Sequence, residues 1–181
     1  RMIQMLVATL MWALVASLLI FRRKRTDRSI TRAAFTIAIA MTLNVDGIYT
    51  VVDPLLGGDD AYLRLVEAAH ARGIRVIGDL TTNHSGSAHD WFRSAFGHPG
   101  AAEGEFYYFA DDENTVYETW LDAPTLPKFD WNSPELRRRF IEGPDSVVAQ
   151  WLRPPFAIDG WRIDVANMTG RLGAEDLNAE V

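Results

Sequence analysis

The sequence predicts an α/β protein built on parallel strands, and three features carry that prediction. An amphipathic helix ending at Gly73 runs straight into an apolar stretch, Ile74-Arg-Val-Ile-Gly-Asp-Leu80. A second such stretch, Gly160-Trp-Arg-Ile-Asp-Val165, comes much later in the chain. Helical text and a long irregular segment separate the two. Strands joined by so long a crossover pair parallel, because an antiparallel neighbour needs only a short turn.

The first element, residues 1–40, is apolar and basic. Residues 1–32 hold seven Lys/Arg against Asp27, a balance of +6, which leaves −12 for the remainder of a chain of net charge −6. From Met5 to Phe21 no residue is charged. Such a run spans about 25 Å as a helix, just short of the roughly 30 Å hydrocarbon core of a bilayer. Arg22-Arg-Lys-Arg25 follows at once. A secretory signal carries its basic residues before the apolar run, so this order suits a membrane anchor through residues 5–21 with residue 22 onward in the cytoplasm. A buried helix and a stretch foreign to the native reading frame are the alternatives.

Beyond residue 40 the text becomes regular. Asp59-Asp60 can cap a helix whose Leu63, Val66 and Ala69 share one face, and Gly73 ends it. The strand 74–80 opens into a loop from Thr81 to Gly104, with a short helix from His89 to Phe96. Between Glu105 and Trp131, aromatic residues alternate with Pro, Asp and Asn, which predicts a small irregular subdomain. Its aromatic side chains are expected mainly in that subdomain's core. Ser133-Pro134 starts the next helix, by capping residue and by proline at its first position. Leu136, Phe140 and Ile141 continue it to Gly143-Pro144. A further helical piece, Ser146 to Leu152, leads through Pro154-Pro155 to the second strand.

Composition narrows the function classes. The chain has no cysteine, so disulfides, thiolate zinc sites and thiol nucleophiles are excluded. A net charge of −6 with 11% aromatic residues argues against nucleic acid and for carbohydrate or protein surfaces.

Chemistry concentrates at two strand ends. In Gly160-Trp161-Arg162-Ile163-Asp164, alternation sends Arg162 and Asp164 to one face and Trp161 and Ile163 to the other. Charges so placed are paired or used. On spacing alone a structural ion pair and a catalytic pair both remain open. A guanidinium beside Asp164 would keep the carboxylate ionised and aim its oxygen, as a nucleophile requires. The second locus is Asp79-Leu-Thr-Thr-Asn83-His84, after the first strand, where parallel-stranded barrels place their sites. His84 and His89, with Asp79 and Asp90, also raise a metal hydrolase. Their spacing matches no H-E-x-x-H pattern, and a five-residue offset puts the imidazoles on different helical faces.

DLTTNH (79–84), LPKFDW (126–131) and GWRIDVANM (160–168) together resemble, in order and spacing, three short motifs of the α-amylase superfamily, glycoside hydrolase family thirteen. The likeness runs over 46–181, including VDPLLGG (52–58) and EAAHARG (67–73). LPKF is most similar to the neopullulanase, cyclomaltodextrinase and maltodextrin-glucosidase branch. The resemblance implies the N-terminal part of a (β/α)8 TIM barrel over 41–181, with a domain B insertion at 84–131 after the third barrel strand. At 181 residues the chain is shorter than the roughly 250 of a whole barrel. It implies a retaining glycosidase for α-1,4-linked gluco-oligosaccharides, with α-1,6 linkages a further candidate. Asp164 matches the nucleophile and Arg162 the arginine that orients it. His84, Asp79 and Asn167 match substrate-side positions, Asp79 as a supporting carboxylate. Asn83 matches a position that ligates calcium in many members, so calcium is the one candidate cofactor, and none is needed for the chemistry itself.

Departures accompany the likeness. Asn167-Met168 stand where many α-amylases carry Lys-His, and Leu43-Asn44-Val45 stand where relatives carry a tyrosine that stacks on the cleaved sugar. The family's general-acid Glu follows a later strand. Glu175 and Glu180 are expected in a helix after Asp164 and are not assigned that role, so the chain alone is expected to be inactive. A glucosyl-transferring member and a noncatalytic, membrane-associated α-amylase-like protein remain the alternatives.

Overall fold

The computed structural model describes residues 37–39 and 49–181. The anchor expected over 5–21, the rest of the 1–40 segment apart from 37–39, and Leu43-Asn44-Val45 lie outside the described residues. Among the described residues no helix is long and apolar enough to cross a membrane.

Three parallel strands form the sheet: β1 (Ile37–Ile39), β2 (Val76–Thr81) and β3 (Gly160–Asp164), in the order β1-β2-β3. The register pairs Ile37 with Val76, Asp79 with Arg162, and Thr81 with Asp164. The chemistry-bearing ends of β2 and β3 therefore lie side by side. The parallel pairing of these two strands is the one their long crossover predicts.

Helix α1 (Gly58–His70) precedes β2. It corrects the expected cap. Gly57, not Asp59 or Asp60, is the capping residue, at φ 99°, and a Cβ there would meet the Ala61 Cβ at 2.6 Å. Asp59 and Asp60 sit in the first turn, where carboxylates favour the helix dipole. The Asp59 carboxylate accepts from the Val52 amide at 2.8 Å, which ties the entering chain to the helix. Val66 and Ala69 are buried as predicted, with Tyr62 beside them. Gly73, at φ 69°, turns the chain, and the Ile74 amide closes on the Ala69 carbonyl at 2.9 Å. Ile74 is thereby spent on the helix end, and the strand starts at Val76.

Gly78 lies where β2 meets β3, and its missing side chain is what admits the Trp161 ring. A Cβ at Gly78 would overlap that ring and approach the Ile158 Cδ1 at 3.2 Å. Gly78→Ala is expected to cost about 2 kcal/mol by overpacking. Urea unfolding of the two proteins checks this, and an unchanged midpoint would show that the ring has somewhere else to go.

The chain between β2 and the next long helical stretch holds a helix α2 (Asp90–Ala95), 3-10 turns at Ala102–Phe106 and Trp120–Asp122, and antiparallel bridges. The bridges pair His84 with Lys128, Tyr107 with Phe129, Phe109 with Tyr117 and Thr119 with Pro127. They fold residues 84–129 back on themselves. Phe106, Phe129 and Trp131 are fully buried, so these aromatic residues build a core, as their composition predicts. His89 caps α2 with Nδ1 accepting from the Trp91 amide at 3.1 Å.

Helix α3 (Pro134–Arg137) begins as expected, with Ser133 Oγ accepting from the Leu136 amide at 3.2 Å. It then widens into a π turn over Arg138–Glu142 instead of continuing as an α-helix. Through this wider turn Phe140 reaches full burial, and Arg139 pairs with both Glu135 and Glu103. Helix α4 (Val147–Leu152), capped by Ser146, brings Trp151 into the core beside Phe156 and Tyr62.

After β3 the structure departs from the expected helix. A 3-10 turn (Ala166–Met168) leads to a hairpin of β4 (Arg171–Leu172) and β5 (Glu175–Asp176). Gly170 and Gly173, at φ 68° and 59°, adopt left-handed backbone that a continuous helix does not allow. Glu175 therefore lies on the hairpin, bound by Tyr108 and by Asn132 Nδ2.

Candidate active site

Register places Asp79 opposite Arg162, and side-chain alternation puts Asp164 on the same face as Arg162. Arg162 Nη1 donates to both Asp79 oxygens, at 2.9 and 2.7 Å, while Nη2 reaches Asp164 Oδ1 at 2.8 Å. One guanidinium is thus shared by two carboxylates. Asp79 holds it in a forked grip, and Asp164 takes the remaining edge. The Asp164 side chain keeps 39% of its surface exposed, against 20% for Asp79. Of the two carboxylates, Asp164 is the one with an oxygen that no described residue binds. The tie between the two expected loci, which one strand's spacing does not show, comes from the sheet register.

Thr82, Asn83 and His84 continue from β2 and are buried. The His84 ring stacks on Trp120, with centroids 5.1 Å apart and planes 16° from parallel. Its Nδ1 lies 3.2 Å from Asn83 Nδ2, and its carbonyl accepts from the Tyr49 hydroxyl at 3.2 Å. Burial lowers the His84 pKa to about 4, with Lys128 adding to the fall and the Asp164 charge opposing it. His84 is therefore neutral near pH 7. His89, also buried, falls to about 4 for the same first reason, with Asp90 opposing.

These two histidines make acid destabilising. In the unfolded chain they take up protons as pH falls through about 6.5, whereas the folded protein resists until about 4. Their contribution is fully present above about pH 6.5 and is lost progressively as pH falls toward 4. Urea unfolding at pH 7 and pH 5 is expected to show a loss of about 2 kcal/mol or more between them. In His89→Gln that loss should shrink, and an unaltered pH dependence would mean that this imidazole is not held neutral.

Several contributors escaped the sequence reading. Tyr49 fixes the His84 carbonyl, Trp120 stacks on its ring, and Lys128 is 4% exposed with Nζ on Asn83 Oδ1 at 2.5 Å and on the Met168 carbonyl at 3.0 Å. Thr82 and Thr169 share a hydroxyl contact of 2.7 Å that ties the β2 end to the turn after Asp164. The sequence did carry one signal. Lys128 is the sole lysine after Lys24 and sits in the apolar, aromatic run LPKFDW. A cation so placed needs buried acceptors.

Val165, directly after Asp164, has left-handed backbone at φ 53°. For a β-branched residue this is strained, by about 1–3 kcal/mol. The Met168 amide on the Val165 carbonyl, at 2.9 Å, holds the turn closed. Asn167 lies exposed in that turn, its carbonyl taken by Arg171 Nη1 at 2.8 Å.

Calcium at Asn83 does not fit these residues. The amide oxygen that would ligate the ion already accepts from an ammonium, and the same ammonium also holds the Met168 carbonyl. Two cations on one oxygen repel. Among the described residues no three His, Cys, Asp or Glu side chains are grouped to hold a metal, and His84 and His89 each serve separate local partners. That arrangement also gives no support to the metal-hydrolase alternative.

The α-amylase catalytic-domain family model matches residues 46–178. Neopullulanase 2 of Thermoactinomyces vulgaris is 32% identical over 126 residues, covering 66% of this chain and 20% of that protein. Trehalose synthase/amylase TreS of Mycolicibacterium smegmatis is 29% identical over 143 residues, covering 66% and 24%. The acarbose-soaked crystal structure of a Nostoc punctiforme debranching enzyme superposes with a TM-score of 0.59 at 30% identity, covering 72% of this chain and 28% of that one. The chain spans about a fifth to a quarter of the length of these curated relatives.

Proposed function

The chain belongs to the α-amylase catalytic-domain family, and from that membership we propose that it supplies the nucleophile side of a retaining glycosidase site for α-linked gluco-oligosaccharides. The observation that carries this reading is the shared guanidinium of Arg162, which holds Asp164 aimed and partly exposed while Asp79 anchors the arginine.

In this reading an oxygen of Asp164 attacks the anomeric carbon, a glycosyl ester forms, and the leaving oxygen takes a proton from a second carboxylic acid about 5 Å away. Water then cleaves the ester, and the same second group acts as base. Arg162 and Asp79 aim the nucleophile. His84, neutral and stacked on Trp120, donates a hydrogen bond to a sugar hydroxyl, and the exposed Asn167 lies on the substrate side of the turn. Residues 84–131 form the domain B insertion in this scheme. The proton donor comes from outside these residues. Glu175 is committed to Tyr108 and Asn132, and Glu180 to Arg137 at 3.3 Å.

Hydrolysis and glucosyl transfer share this intermediate, and the likeness to a protein named trehalose synthase/amylase keeps transfer as the second reading. The test extends the chain in frame to the length of its relatives and supplies maltotriose and pullulan. Glucose or maltose release by the extended protein, and none by the 181-residue chain, supports the proposal. A folded extended protein that releases no sugar and transfers none would end it.

A further inference from the structure

The cation at the Asn83 corner is supplied by the chain itself. We infer that the Lys128 ammonium is the resident cation of this corner in place of a metal ion, and that through Asn83 it sets which nitrogen of His84 carries the proton.

The argument begins with what each group can do. A lysine ammonium has three donors and no acceptor. Lys128 Nζ lies 2.5 Å from Asn83 Oδ1 and 3.0 Å from the Met168 carbonyl, both oxygens, in a position only 4% exposed. Three separate parts of the chain meet on it: the LPKFDW run that carries it, the end of β2, and the turn after Asp164. This is the geometry of a small hard cation bridging loops through oxygen ligands. Here the charge is delivered on a covalent stem.

The consequence for His84 follows from the amide. With Oδ1 facing an ammonium, the Asn83 NH2 must face the other way, and it lies 3.2 Å from His84 Nδ1. An NH2 group donates, so Nδ1 presents its lone pair. The ring proton of a neutral imidazole then sits on Nε2. Lys128 is therefore a positioning residue: it turns Asn83, Asn83 fixes the tautomer, and His84 offers an Nε2–H donor outward. The lysine also grips the Met168 carbonyl, at the end of the turn that keeps Val165 in its strained conformation next to Asp164. This inference stands on the corner's geometry and does not depend on the reaction assigned to Asp164.

Two measurements on the 181-residue chain, each begun with a protein that melts cooperatively, decide it. The first is thermal unfolding in 5 mM calcium chloride and in excess EDTA, with calorimetric titration of calcium. The midpoint is expected to agree within about 1 °C in the two buffers with no stoichiometric heat. A midpoint that drops in EDTA and returns with calcium, or one calcium bound per chain, overturns the proposal. Lys128→Asp exchanges the ammonium for a third oxygen ligand. It should lower the midpoint in EDTA, recover it with calcium, and show terbium emission sensitised by the nearby Trp120. If Lys128→Asp melts cooperatively and gains none of these, the corner is not a cation site.

The second measurement reads the tautomer directly. Nitrogen chemical shifts of His84 near pH 7 should show a protonated Nε2 and a lone pair on Nδ1. In Lys128→Met, which keeps an apolar stem, the preference should weaken toward a mixture, and Lys128→Arg should restore it in part. A wild-type His84 protonated on Nδ1, or a Lys128→Met ring unchanged from wild type, would refute the relay. Where a variant does not fold, a wild-type His84 protonated on Nδ1 still overturns the relay.

Discussion

Asp164→Asn in the extended protein is expected to reduce turnover of maltotriose by about 10⁴-fold or more, with little change in unfolding midpoint. The amide keeps the shape of the carboxylate and still accepts from Arg162 Nη2, so the contact at 2.8 Å has a neutral equivalent. What disappears is the nucleophilic oxygen. Asp79 cannot replace it, because both of its oxygens are already held by Arg162 Nη1. A fluorinated glycosyl fluoride that stalls the second step should label the peptide carrying Asp164 in the wild type and leave the variant unlabelled. Activity within tenfold of wild type in Asp164→Asn would remove Asp164 from the reaction, and a label on another residue would reassign the nucleophile.

Much of this arrangement was legible in the sequence, for reasons that are local. Gly73, Ser133-Pro134 and Ser146 act within one turn of themselves, so the helix boundaries they set agree with the structure to within a few residues. Period-two alternation placed Arg162 and Asp164 on one face because a strand has no other choice. Failures arose where a distant contact decided the outcome. The cap of α1 went to Gly57 because the preceding turn needed φ 99°, which left Asp59 free to bind Val52. Glu175 was expected on a helix, yet paired left-handed glycines and the contacts with Tyr108 and Asn132 favour a hairpin. Lys128 was visible as a residue but not as a partner of Asn83, since forty-five positions separate them. Sequence periodicity reports which way a side chain points. It does not report what waits there.

Trp131 shows how the aromatic core and the candidate site depend on each other, and its replacement is expected to have the largest effect on stability. The side chain is fully buried, with ring centroids 6.1 Å from Phe129 and 5.5 Å from Phe140. Its indole N–H donates to the Thr82 carbonyl at 2.9 Å, and its own carbonyl accepts from Arg137 Nε at 2.6 Å. Trp131→Ala removes the ring and leaves a cavity, which costs about 3–5 kcal/mol. It also strands the Thr82 carbonyl in a buried position, for a further 1–3 kcal/mol or so. Against a typical domain stability of about 5–15 kcal/mol, that sum brings the chain close to unfolding. Trp131→Phe separates the two causes. It keeps a six-membered ring in the core and loses the donor with the five-membered part of the indole, so its urea midpoint should fall by an amount matching about 1–3 kcal/mol, less than for Trp131→Ala. Thr82 immediately precedes Asn83 and His84, so in the extended protein Trp131→Phe should also loosen sugar binding and raise KM more than it lowers kcat. A Trp131→Phe variant as unstable as Trp131→Ala would show that the packing of a six-membered ring against Phe129 and Phe140 does not secure the end of β2.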